Sequence, residues 1–176
     1  MNNEIARILF QDESMIRDYQ AISNTWFLKG KQRIVPTYGR QQGVKILGTL
    51  NYGTGEVFCT ESSKYDAKSF LKFLKKIVAK YSEGKTIMIL DNAKIHHAKL
   101  IQDFLEENKD KIELVFLPPY SPDLNLIEGL WKWLKERVVN NVFYENVSEI
   151  RDSVKAFIDD INSNKMEVVD RLCLKL

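Results

Sequence analysis

Two aspartates and a glutamate carry the types and settings needed for metal-assisted phosphoryl chemistry. Asp12 follows the apolar run Ile5 to Phe10, and Asp91 follows Ile87 to Leu90. Each is therefore expected where a buried strand leaves its sheet. Glu128 falls within "LPPYSPDLNLIEGLWKWLKE", residues 117–136, which holds three of the chain's four prolines. In α/β sheets, ligands gather outside adjacent strand ends. Carboxylates brought together there repel unless a cation, a proton or a basic group joins them. Mg²⁺ favours carboxylate oxygens together with water and substrate phosphate. A pair of such ions activates an attacking oxygen and stabilises a leaving one in phosphoryl transfer. Taken singly, each acid has an ordinary explanation. Acids often end strands, and a first-turn glutamate suits the helix dipole. Their joint occurrence is what points to chemistry.

The elements that must position these acids are legible in outline. The strand before Asp12 is expected to stop at the polar Gln11-Asp12-Glu13. "RIVPTYG" reads as an edge strand, since Pro36 cannot donate to a ladder. "VKILGTL" and "EVFCT" flank the turn "NYGTG" and form a hairpin. A helix over about residues 67–81 is capped by Asp66 and buries Phe70, Phe73, Leu74 and Ile77. "KTIMIL" is a buried strand ending at Asp91, and a helix starting near His97 runs to Asn108. "IELVF" is a strand stopped by Pro118 and Pro119. The next helix covers about residues 126–139, with Asp123 or Asn125 as its cap and Glu128 in its first turn. A final helix spans roughly 149–161. This order suggests a mixed sheet covered by helices.

Bulk properties bound the rest. A chain of 176 residues, 44% hydrophobic and 28% charged, suits one globular domain, residues 1–176. No apolar run approaches the ~20 residues of a membrane span, so no membrane partner is expected. Cys59 and Cys173 lack metal-ligand spacing and read as reduced thiols, with a single disulfide as the alternative. Net charge is only +2, but residues 19–55 hold no acid while including Lys29, Lys31, Arg33, Arg40 and Lys45. That segment is either a phosphate-facing surface or a solvated face with scattered cations.

Three blocks, "FQDES", "ILDNAKIHHA" and "LPPYSPDLNLIEGLWKWLK", resemble the catalytic blocks of IS630/Tc1/mariner-type transposases of the DDE superfamily. The last is the most specific: Ser121-Pro122-Asp123-Leu124-Asn125-Leu126-Ile127-Glu128 with Trp131 follows the family's proline-rich pattern, with Leu126 where a proline is usual. The 36 residues between Asp91 and Glu128 (92–127) also fit the IS630 branch. The resemblance implies an RNase H-like α/β fold, a mixed five-stranded sheet flanked by helices. It implies that Asp12, Asp91 and Glu128 bind two Mg²⁺ ions, with Mn²⁺ able to substitute. Asp12 rather than Glu13 matches the first acid. Asn92 and His96 match polar positions after the second. His96 then touches a phosphate, orients a metal-bound water or caps a helix, while Lys29, Lys31, Arg33 and Arg40 are candidates for DNA contact. Trp131 is expected in the core and Trp133 more exposed, against DNA or a partner.

The implied function is the catalytic domain of a cut-and-paste DNA transposase acting on double-stranded DNA, both transposon ends and target. The implied assembly is a homodimer in a prokaryotic cytoplasm, at the nucleoid. Relatives carry an N-terminal helix-turn-helix region; here the first catalytic strand starts close to Met1, so that module is expected to be absent or supplied by a separate subunit. The alternative is an inactive remnant that binds DNA or another subunit without cutting. An RNase H-type nuclease is a third option, disfavoured by the proline-rich block.

Overall fold

The computed structural model describes residues 5–17, 43–119, 121–140 and 142–172. A five-stranded sheet in the order β3-β2-β1-β4-β5 forms its centre. The strands are β1 (Ile5–Arg17), β2 (Gly43–Asn51), β3 (Val57–Ser62), β4 (Lys85–Leu90) and β5 (Ile112–Phe116). β1, β2 and β3 pair antiparallel, while β4 and β5 join β1 in parallel. The helices are α1 (Ala67–Lys80), α2 (Lys99–Glu107), α3 (Ile127–Val138), α4 (Val147–Ser163) and α5 (Lys165–Leu172).

Adjacent strand residues point to opposite faces, and two cores result. Leu9, Leu47, Met88 and Leu90 pack under α1 and α2 with Phe70, Phe73 and Ile101. Phe10, Ile46 and Leu50 pack under α3 and α4 with Leu130, Trp131, Leu134 and Phe157. The neighbours Leu9 and Phe10 thus serve different layers. The mixed sheet and its two helical layers are those expected from the order of elements. The "NYGTG" hairpin forms as expected, with Asn51 Oδ1 accepting from the amides of Gly53 and Thr54. Gly55 follows at a positive φ of 71° that favours glycine. Asp66 caps α1 by accepting from the Ser69 amide at 2.8 Å.

Four expectations need correction. β1 does not stop at Gln11 but runs to Arg17. Its pairing with β4 ends at Phe10↔Ile89, while its pairing with β2 continues to Arg17↔Gly43. Asp12 is therefore mid-strand, at the point where β1 outruns β4. Second, a 3₁₀ turn over Lys94–His97 precedes α2, which starts at Lys99. Third, neither Asp123 nor Asn125 caps α3: Leu126 holds the cap position without a side-chain bond. Fourth, Trp133 is 3% exposed. It meets Phe157 of α4 edge to face at 5.3 Å, and the guanidinium of Arg171 of α5 lies 4.5 Å over its ring. α3 is enclosed on two sides, so both tryptophans are core residues. α5 itself had no counterpart in the sequence reading. The edge strand read in "RIVPTYG", the cations Lys29, Lys31, Arg33 and Arg40, and Cys173 lie outside the described residues. Cys59 is a free thiol.

Candidate active site

A cavity of about 390 Å³ opens where β1 loses its β4 partner. Asp12, Asp91 and Glu128 all line it, with Asn92, Asn125 and Ser121. Leu117, Pro118 and Pro119 form the wall that carries the chain from β5 toward α3. Three acids distant in sequence thus reach one cavity from three elements: the middle of β1, the end of β4 and the first turn of α3. Glu13 is not part of the cavity wall. It projects from the opposite face of β1 and accepts from Gln11 Nε2 at 3.2 Å.

Asp12 is the most constrained of the three. Burial pushes its carboxyl up to about 7, and the nearby Glu128 and Glu13 carboxylates push the same way. The Glu13 backbone amide and the Trp131 indole oppose that shift. Trp131 Nε1 donates to Asp12 Oδ2 at 3.0 Å. Burial also raises Glu13, with Asp91 adding to it. The negative charge of the cavity is thus felt at both faces of β1.

Asp91 is 56% exposed, so water screens it. Its Oδ1 accepts from the Ala93 amide at 3.1 Å, which turns the chain out of β4. The same oxygen lies 3.2 Å from His96 Nε2. Among the described residues, neither His96 ring nitrogen has a well-aligned hydrogen-bond partner. His96 is fully buried, edge-on to Phe70 at 4.3 Å, and burial holds its pKa below the ordinary value. It therefore presses as a neutral ring behind Asp91. The structure brings Asn92 to the cavity wall, and Asn92 Oδ1 meets His97 Nε2. His97, which had no role in the sequence reading, in turn packs on Phe116.

The proline-rich segment is tied to β1 from inside. Asn125 is buried, and its Nδ2 donates to the Gln11 carbonyl at 3.0 Å. It meets β1 just past the last β1–β4 pair, so a side-chain amide takes over where strand pairing ends. Sequence reasoning assigned Asn125 to a cap and missed this bond. Glu128 is exposed in the first turn of α3, its amide bonded to the Asn125 carbonyl at 3.0 Å. Asn125, Glu128 and Trp131 are spaced by three residues. They respectively hold the β1 backbone, line the cavity and hold Asp12.

The donor set is chemically suited to a hard divalent cation. Carboxylate and amide oxygens dominate, and the half-buried Asp12 has no cationic partner among the described interactions that shift it. Among the described residues, no group of three acid, histidine or cysteine side chains stands close enough to hold an ion as it is.

The sequence pattern of the DDE superfamily endonucleases matches residues 7–151. The chain belongs to that family. It is 31% identical over 156 residues to the "Insertion element IS630 uncharacterized 39 kDa protein" of Shigella sonnei, covering 88% of this chain and 45% of that protein. Among solved structures it resembles the Mos1 transposase paired-end complex with left transposon end, at a TM-score of 0.65 and 15% identity, over 94% of this chain and 55% of that one. The catalytic domain of Mos1 mariner transposase matches at a TM-score of 0.57 and 15% identity, over 93% and 81%. The expected family and the RNase H-like fold are borne out. The chain spans about half the length of the IS630 protein and of the Mos1 chain in the paired-end complex. No described helix is long and apolar enough to cross a membrane.

Proposed function

We propose that this chain is the single catalytic domain of a cut-and-paste DNA transposase, with Asp12, Asp91 and Glu128 as the ligands of two Mg²⁺ ions. The observation that carries this reading is one cavity lined by these three acids, in a member of the DDE endonuclease family. Bound there, the cations would polarise the scissile phosphate and lower the pKa of the attacking water or DNA 3′-hydroxyl. The chain's own residues do the rest. Asp12 supplies a fixed carboxylate on a rigid strand, gripped by Trp131. Asp91 presents its carboxylate at the open end of β4, backed by His96. Glu128 closes the set from α3, whose start is tied to β1 through Asn125. The resulting negative cavity repels a bare phosphate diester, so a cation bound there first would favour entry of the substrate.

Double-stranded DNA is the proposed substrate, as transposon end and as target. The Mos1 structures include paired-end complexes with the left transposon end, with Mg and with Mn, which supports DNA as partner and Mn²⁺ as a substitute. A paired-end assembly implies two copies, so the active form is proposed to be a homodimer. Sequence reading of the ends is assigned to a helix-turn-helix module outside this domain, in a cytoplasmic, nucleoid-bound complex.

The test is nicking of supercoiled plasmid in Mg²⁺ or Mn²⁺. Wild type should nick; Asp12→Ala, Asp91→Ala and Glu128→Ala should not, and Glu13→Ala should retain much of the activity. Loss with Glu13→Ala and retention with Asp12→Ala would move the first ligand to Glu13. A wild-type chain that binds DNA but never nicks it would leave the non-catalytic remnant as the better reading.

A further inference from the structure

We infer that Trp131 is a positioning residue for Asp12, and that Gly48 is the gap in β2 that lets its indole lie there. The inference rests on the proposed reading of Asp12 as a cation ligand.

Gly48 is the register partner of Asp12 across β1 and β2. The Trp131 ring lies directly over it. A Cβ at position 48 would fall 2.5 Å from Trp131 Cη2 and 2.9 Å from Cζ2, far inside contact distance. The obstructing atoms belong to a ring 2% exposed, which cannot swing aside as a flexible tip could. Gly48 is flanked in β2 by Leu47 and Thr49, with Ile46 and Leu50 beyond. Glycine within a strand is less stable than alanine there, so β2 gives up stability at this position. That loss creates a flat shelf beside Asp12. On this shelf the indole N–H, which can only donate, reaches Asp12 Oδ2 at 3.0 Å.

A core tryptophan needs some partner for its N–H. A neutral carbonyl would serve that purpose. Here the partner is the half-buried carboxylate of the cavity, which among the described residues otherwise has the Glu13 backbone amide beside it. Trp131 also lies one turn after Glu128 on α3. The placement of α3, and so of Glu128, is thereby coupled to the orientation of Asp12. Fixing Oδ2 sets the carboxylate plane and leaves its remaining lone pairs for a cation. Hydrogen-bond partners that orient a metal ligand typically govern affinity by 10–100-fold.

The experiment is Mn²⁺ binding by calorimetry on the chain, well below its unfolding midpoint. Wild type is compared with Trp131→Phe, Gly48→Ala and Asp12→Asn. Trp131→Phe keeps an aromatic ring and loses the N–H; it should weaken Mn²⁺ binding about tenfold or more. Gly48→Ala should weaken it although Trp131 is intact, and Asp12→Asn should abolish it. Affinity within twofold of wild type for Trp131→Phe, with Asp12→Asn still abolishing binding, would overturn the inference and leave the cation site standing. Unchanged affinity in Asp12→Asn would instead overturn the reading on which it rests. Should Trp131→Phe fail to fold, the indole N–H resonance of Trp131 decides. It should shift on Mg²⁺ titration of wild type and stay fixed in Asp12→Asn. A resonance unmoved in wild type, at Mg²⁺ levels that saturate the site, would sink the proposal.

Discussion

Asp12→Asn should stabilise the metal-free chain, and the gain should grow with pH. The folded carboxyl titrates near 7, against an ordinary value of 3.8. Between those values the folded protein binds a proton that the unfolded chain has released. Wild-type stability therefore falls as pH rises from about 4 to about 7 and then levels off. Asparagine has no such transition, so the difference between the proteins is small at pH 4 and largest above pH 7. Three pKa units correspond to about 4 kcal/mol, an upper bound. The side chain is only half-buried beside an open cavity, and asparagine loses the charge-assisted part of the Trp131 bond, about 1 kcal/mol. The expected gain at pH 8 is about 1–3 kcal/mol, or several degrees in a domain of this size. Thermal and urea unfolding in chelator, from pH 4 to 8, measure it. Added Mg²⁺ should raise the wild-type midpoint by mass action and the variant's far less. A difference between the proteins that stays flat from pH 4 to 8, or an asparagine variant less stable at pH 8, would refute the claim that burial, with the neighbouring carboxylates, penalises the charged form of Asp12.

Three further outcomes are expected. Burial pushes the Cys59 thiol up to about 12, yet its side chain is only half-buried, so in a Cys173→Ser background alkylation at pH 8 should be slower than for an ordinary thiol by about tenfold or more, rising to normal on unfolding. Phe157→Ala removes the ring that Trp133 packs against; it should cost about 3 kcal/mol, seen as a lower urea midpoint with an unchanged slope. The chain alone should bind duplex DNA weakly and without sequence preference, with affinity falling steeply as salt rises; a salt-insensitive preference for one sequence would contradict this.

The sequence disclosed those features whose cause is local. The stripe and Asp66 cap of α1, the hairpin around "NYGTG" and the strand ending at Asp91 each depend on neighbours within a few residues. The misreadings share a different cause. Gln11-Asp12-Glu13 looked like a strand end, yet β2, more than thirty residues later, keeps β1 extended there. Trp133 was placed outside because a single apolar stripe implies a single buried face. α4 and α5 bury a second face of α3, and α5 has eight residues, too few for a clear helical period. Asn125 had the type and place of a cap, but the Gln11 carbonyl claimed its amide. In each case a distant element decided, and no local pattern encodes it.

The three acids also differ in a way that bears on how the site works. Asp12 is half-buried on a paired strand, held by an indole and a backbone amide. Asp91 and Glu128 are exposed, one at a strand end and one in a first helical turn. An acid fixed in a low-dielectric setting has the most to gain from a cation, because its charge is otherwise poorly solvated. The exposed pair lose less by staying charged in water and carry less of the folding cost. The proline wall and the Asn125 bond then limit how far α3 can drift from β1, so Glu128 stays within the same cavity. This explains the crowding of prolines before an otherwise ordinary helix. They do not terminate β5 alone; they stiffen the short segment that carries the chain from β5 to Glu128.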